Sequence, residues 1–238
     1  MTMSLLRRLS KFTTLCLQTF IHHVISSTGA FIYPQSSTIF SGNDSVQVDL
    51  GYAIYKGVAN ASTGLNTFKG IRFAAPPTGF LRWQPPQGPA LNRTSVQPAV
   101  SYGPICPQSF NAVPGNDFVL GDEDCLYLNV YAPANADNLP VLVWIHGGGY
   151  GFYNGQQDMS SIIMTNNNTF IGVSIQYRLG VFGFLSSDEV ARRGALNAGL
   201  LDQQFALEWI QQHIEKFGGD PSRVTISGLS AGAGSVSK

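Results

Sequence analysis

The sequence predicts an α/β fold with a mostly parallel central sheet and helices on both faces. Three observations carry this. Apolar runs of strand length recur through the second half of the chain, a helical apolar pattern separates the last two runs, and two glycine-rich turns each follow directly on such a run.

Length and composition set the frame for these elements. A chain of 238 residues, 44% hydrophobic and 11% aromatic, can bury a core as one domain or a large part of one. Charged residues make up only 12%, with 14 basic against 14 acidic, where about 25% is usual. No basic field exists to hold nucleic acid or an anionic membrane surface, and neither is expected as a partner. No run of about 18 uninterrupted apolar residues occurs, so no membrane span is expected. No cofactor or metal is expected either.

Residues 1–30 stand apart. Arg7, Arg8 and Lys11 precede an apolar stretch from Phe12 to Ile25, followed by small residues, with no acid anywhere. This is the order of a secretory signal, although Thr13, Thr14, Gln18, His22 and His23 interrupt the run; an acid-free, Arg- and Ser-containing leader also suits organelle import. Residues 31–238 form the folded remainder. Of the 3 cysteines, Cys16 falls in the leader and leaves Cys106 and Cys125. A bridge between them would stabilise by about 3 kcal/mol; the alternative is a pair of free buried thiols. Asn-x-Ser/Thr sequons at Asn43, Asn60, Asn92 and Asn167 point to glycosylation on the secretory route.

Along the chain, Val46–Val48, Tyr52–Tyr55 and Phe68–Phe73 are short, partly alternating segments separated by glycines, which predicts an antiparallel edge. A Pro-rich connector follows from Ala75 to Pro86, then an irregular region holding the cysteine pair. Strands are predicted at Leu126–Tyr131, Val141–Ile145, Phe170–Ile175 and Val224–Ile226. Before the last of them, Leu200, Leu207, Ile210, Ile214 and Phe217 recur at helical spacing, with Gly218-Gly219 as the stop. His213, between glutamines and this stop, is expected to face solvent.

The chemistry gathers in two places. Gly228-Leu229-Ser230-Ala231-Gly232 matches G-x-S-x-G, a pattern that puts a serine on a sharp turn where its neighbours must pack closely. A glycine- and serine-rich surface loop would carry the same letters, and about a quarter of an occurrence arises by chance in such a chain. Context separates the two: a strand candidate runs straight into the motif, and small residues able to begin a helix follow it. His146-Gly147-Gly148-Gly149 directly follows the strand Val141–Ile145, so that bare backbone N–H groups can converge on a developing oxyanion. His146 is expected to be positional rather than a base. In hydrolases that use the serine turn, acid and histidine follow the serine along the chain, and no histidine follows Ser230 here.

Beyond these two motifs the chain resembles the type-B carboxylesterases. The resemblance runs from about Gly57 onward through Gly70–Pro77, Leu81-Arg82-Trp83, Glu123–Val130, Val143–Gly149, Tyr177–Gly180, Gly199–Gln203, Phe217–Pro221 and the serine motif. It implies an α/β-hydrolase fold, Ser230 as nucleophile, the N–H groups of Gly148, Gly149 and Ala231 as an oxyanion hole, a Cys106–Cys125 disulfide, and buried ion pairs Arg82–Glu123 and Arg178–Asp202. Two departures shape the expected substrate. The family often has glutamate before the nucleophile, where this chain has Leu229, and the loop between the cysteines offers only Phe110 and Phe118 as aromatics. A neutral carboxylic ester follows more naturally than a cationic one. The resemblance also places the acid and histidine in a C-terminal half outside this sequence. The expectation is a fold truncated after the serine turn and inactive alone, with a noncatalytic interaction module as the alternative.

Overall fold

The computed structural model describes residues 45–109 and 120–238. The leader at 1–30, Cys16, the Asn43 sequon, and Phe110 and Phe118 lie outside the described residues.

The three glycine-separated segments form β1 (Ser45–Asp49), β2 (Ala53–Asn60) and β3 (Leu65–Arg72), each antiparallel to the next. Short polar side chains make the turns. Asp49 Oδ1 accepts the Gly51 N–H at 2.8 Å, and Asn60 Oδ1 accepts that of Ser62 at 3.0 Å. The Pro-rich connector holds a 3-10 turn at Gly79–Leu81. The region expected to be irregular contains a strand, β4 (Asn92–Pro98), parallel to β2. Its side chains are almost all exposed, so backbone pairing rather than apolar burial makes it a strand, and hydrophobic alternation could not reveal it.

The predicted runs become β5 (Tyr127–Pro133), β6 (Leu139–Ile145), β7 (Ile171–Ile175) and β8 (Gly219–Gly228). The sheet order is β1-β2-β3-β5-β7-β6-β8. Strands β7, β6 and β8 are mutually parallel, while β5 joins them to the N-terminal edge through antiparallel pairings with β3 and β7.

Period-two alternation sorts the central strands into two faces. Val141, Val143 and Ile145 of β6 join Ile171, Val173 and Ile175 of β7 in the larger core, which the helix α4 (Ala198–His213) covers with Ala206, Trp209 and Ile210. Leu142 and Trp144 turn the other way, toward Tyr131, Met159 and Ile163, the last from the helix α1 (Ser160–Thr165). Helices therefore lie on both faces, as expected. Short helices α2 (Gly180–Phe184) and α3 (Asp188–Arg193) lead from β7 into α4.

The predicted stop is sound: α4 passes into a 3-10 turn, Ile214–Phe217, and Gly218 ends it at φ +83°. The inward face of α4 also carries Asp202 and Gln203, polar residues that apolar spacing alone does not mark. His213 corrects an expectation. Rather than facing solvent it is half-buried, 5.8 Å from the Tyr52 ring and 5.1 Å from that of Trp209. Burial pushes its imidazole down to about 4. The 3-10 turn that follows α4 is anchored by buried Ile214 and Phe217, which holds the end of the helix against the sheet.

Candidate active site

Strands β6 and β8 are neighbours, and Ile145 pairs with Gly228. The two glycine-rich turns therefore leave the sheet side by side, at the C-terminal ends of parallel strands, where open α/β sheets place their ligands.

Ser230 sits between β8 and the helix α5 (Ala231–Val236) with φ +57° and ψ −120°, a strained backbone for a residue with a side chain, and it is exposed. Its two glycines are required by close approach. A Cβ on Gly232 would lie 2.1 Å from the Ile145 carbonyl oxygen, and one on Gly228 would lie 2.5 Å from the Gly232 backbone. Among the described residues the Ser230 hydroxyl has no hydrogen-bond partner.

The facing loop starts at His146, which is only 4% exposed and stacks on the Tyr177 ring at 4.3 Å. Its Nδ1 lies 2.9 Å from the Gly147 carbonyl oxygen. A carbonyl can only accept, so Nδ1 carries the proton and Nε2 is bare. That Nε2 is buried and has no partner among the described residues. Burial lowers the imidazole to about 4, so it is neutral at neutral pH. A Cβ on Gly147 would lie 2.5 Å from the Leu229 oxygen and 3.1 Å from Ser230 Cβ, so the loop rests directly against the serine turn. Gly148 and Gly149 have φ of +98° and +58°, and neither N–H donates to an acceptor among the described residues. Ala231 opens α5, where backbone N–H groups have no intrahelical partner.

Between the two turns lies a cleft of about 390 Å³. Trp144, Phe152, Tyr153 and Leu229 give it apolar walls, Asn154, Gln156 and Gln157 contribute amides, and among the described residues no charged side chain lines it. A second cavity, under β1 beside Phe217, has room for about 10 Å³, roughly one water.

The other expected residues fall into three groups. Cys106 and Cys125 are buried and form a disulfide with Cα atoms 5.0 Å apart. Arg178 and Asp202 make a buried pair: Nε and Nη2 donate to the two carboxylate oxygens at 2.7 Å, and the Arg178 backbone N–H adds a third bond at 3.0 Å. Arg82 and Glu123 also pair, at 2.5 and 2.6 Å, but their side chains are 35% and 23% exposed, so this pair is not buried as expected. Arg82 follows the exposed 3-10 turn, where water reaches the guanidinium. Asn60, Asn92 and Asn167 are all exposed. Among the described residues no group of His, Cys, Asp or Glu could hold a metal, and no helix is long and apolar enough to cross a membrane.

Sequence reasoning missed the loop residues Phe152, Tyr153, Asn154, Gln156 and Gln157, which have no periodicity to mark them. It also missed the pair Arg72–Asp124, at 2.6 Å, and the roles of Gln176 and Tyr177. Tyr177 stands in a motif from which only Arg178 was interpreted.

Comparison with known proteins gives a consistent result. Residues 44–238 match the model of the carboxylesterase family. A carboxylic ester hydrolase of Bombus ignitus is 45% identical over 174 residues, which is 71% of this chain and 30% of that protein. Carboxylesterase 1E of Mus musculus is 46% identical over 185 residues, 71% of this chain and 32% of that protein. The crystal structure of Aspergillus niger EstA superposes with a TM-score of 0.72 at 44% identity, covering 80% of this chain and 37% of that one. The chain thus spans about a third of the length of the curated relatives it matches.

Proposed function

The chain belongs to the carboxylesterase family and has its α/β-hydrolase fold, and on that premise we propose that it carries the nucleophile and oxyanion hole of a serine carboxylic ester hydrolase. The observation that carries this reading is Ser230, strained and exposed between closely packed glycines, facing two backbone N–H groups that have no other acceptor among the described residues.

In the proposed reaction Ser230 Oγ attacks the ester carbonyl while a histidine takes its proton. The oxyanion is held by the N–H groups of Gly148, Gly149 and Ala231. The alcohol leaves with that proton, and water hydrolyses the acyl-enzyme. His146 is not that base. Its Nε2 is closed off and its Nδ1–H is committed to Gly147. The chain spans about a third of its relatives' length; in this reading residues 31–238 are the N-terminal part of one hydrolase domain, and the acid and histidine come from the part of the domain that these residues do not match. The absence of charged side chains among the described residues lining the cleft, and Leu229, support a neutral carboxylic ester as substrate. The disulfide and the exposed sequon asparagines support passage through the secretory route.

Hydrolysis of p-nitrophenyl butyrate by the full-length polypeptide carrying these residues tests the reading. Ser230→Ala should lower kcat by about 10⁶ and abolish labelling by a fluorophosphonate. Turnover that survives in Ser230→Ala overturns it and turns attention to an interaction module. A polypeptide limited to these 238 residues should give no Ser230-dependent turnover.

A further inference from the structure

Within the 146–155 segment the Gly151 and Phe152 N–H groups donate to the Gly148 carbonyl at 2.9 and 3.1 Å, which closes one turn but leaves both ends to be held by other elements. It has no regular secondary structure, its glycines are conformationally free, and the N–H groups assigned to the oxyanion must nevertheless sit still for them to act. The Gly180 and Ser109 N–H groups hold its middle, donating to the Tyr150 and Gly151 carbonyls at 2.8 and 2.7 Å, and its two ends are held by the two residues that follow β7. Tyr177 Oη donates to the His146 carbonyl at 2.7 Å, and its ring stacks on the His146 imidazole, fixing the start of the segment. Gln176 Oε1 accepts the Gly155 N–H at 2.9 Å, fixing its end, while its Nε2 donates to the Pro104 carbonyl at 3.0 Å. At Gly155 there is no slack, since a Cβ there would lie 2.3 Å from the Ile175 carbonyl oxygen. Both side chains are buried, at 2% and 0% exposure. The next residue, Arg178, is bound through backbone and side chain to Asp202 on α4. The two holding residues are thereby tied to the main helix.

We propose that Gln176 and Tyr177 are positioning residues for the oxyanion hole, one clamping each end of the loop that carries Gly148 and Gly149. The proposal rests on the ester-hydrolase reading above and adds to it. The burial of the Tyr177 phenol, which raises its pKa well above the ordinary value, keeps it a neutral donor. Neither residue touches the reacting atoms. Each acts by holding the His146 and Gly155 backbone against the sheet while the oxyanion forms.

The test uses the full-length polypeptide with p-nitrophenyl butyrate as ester and a trifluoromethyl ketone that adds to the serine as a tetrahedral adduct. Tyr177→Phe removes one hydroxyl and keeps the stack on His146. It should lower kcat by at least about 10-fold, a fraction of the 10²–10³ that loss of a whole oxyanion donor brings. KM should change less than about 2-fold, and ketone affinity should fall in parallel with kcat. Gln176→Met should act in the same sense, and it decides the matter should Tyr177→Phe fail to fold. An unchanged kcat, or a loss of kcat without loss of ketone affinity, overturns the proposal. Ser230→Ala separates the two readings. If it abolishes turnover while both clamp variants behave as wild type, only the clamp falls; if it does not, the hydrolase reading falls first.

Discussion

The Ser230 turn and the His146–Gly149 loop face each other across one cleft and are both rich in glycine, but they are held in place by different means. The serine turn is fixed by backbone packing and backbone hydrogen bonds. Gly232 packs on the Ile145 carbonyl, Gly228 packs on Gly232, and Gly232 N–H and Gly234 N–H close the turn onto the oxygens of Leu229 and Ser230 at 2.9 and 3.0 Å. The loop closes one turn of its own, with the Gly151 and Phe152 N–H groups on the Gly148 carbonyl, but its ends are fixed by side chains from other elements: Tyr177, Gln176, and Asn129, whose Nδ2 donates to the Gly155 carbonyl at 2.9 Å. Strain at a serine turn can be stored in a few adjacent residues, whereas a set of donors aimed at empty space needs a scaffold that reaches it from several elements.

Substitutions can break this contrast. The largest effect is expected on the loop side, at the root of its scaffold. Asp202→Asn leaves the Arg178 guanidinium buried without its counter-charge, and the urea midpoint should report a loss of about 3–5 kcal/mol. Replacing both partners by apolar residues should recover much of that, because the pair itself contributes little beyond its mutual compensation. On the turn side, Gly232→Ala forces a methyl against a backbone carbonyl that cannot yield, at about 3 kcal/mol by the same measurement.

The loop should also carry a pH signature that the turn lacks. His146 has a folded value of about 4 against an ordinary 6.5. Within that window the unfolded chain binds the extra proton, so stability is full above about 6.5 and falls with pH down to about 4, by up to about 3 kcal/mol. His213 adds to the slope over the same range, but being partly exposed it adds less. Urea titrations across this range should flatten in His146→Asn; an unchanged slope would mean that the imidazole is not the buried neutral group described. The smallest effect is at Gly149, whose Cβ would meet nothing within 4 Å. Gly149→Ala should cost only the left-handed backbone penalty of about 1 kcal/mol, and a loss as large as that of Gly232→Ala would erase the distinction between the two regions.

Much of this was legible in the chain itself. β5 and β7 were marked by apolar runs because they are buried on both faces, β6 by the apolar residues of its buried face, and α4 by its apolar spacing and glycine stop. The cysteine pair and the Arg178–Asp202 pair followed from the resemblance, and both form. Strand β4 was not legible because its polar residues gain order from backbone pairing with β2. His213 was misjudged because its glutamine neighbours face outward, while Tyr52 and Trp209, distant in sequence, close over the ring.

The sequence by itself determined the central strands, the main helix, the serine turn and the glycine loop, since each depends on local periodicity or on glycines needed within a few residues. Only the tertiary structure decided that β6 lies beside β8 so that the two turns share a cleft, that no described charged side chain enters that cleft, and that Gln176 and Tyr177 grip the loop. These follow from contacts between residues far apart along the chain, and such contacts leave no periodic trace in it.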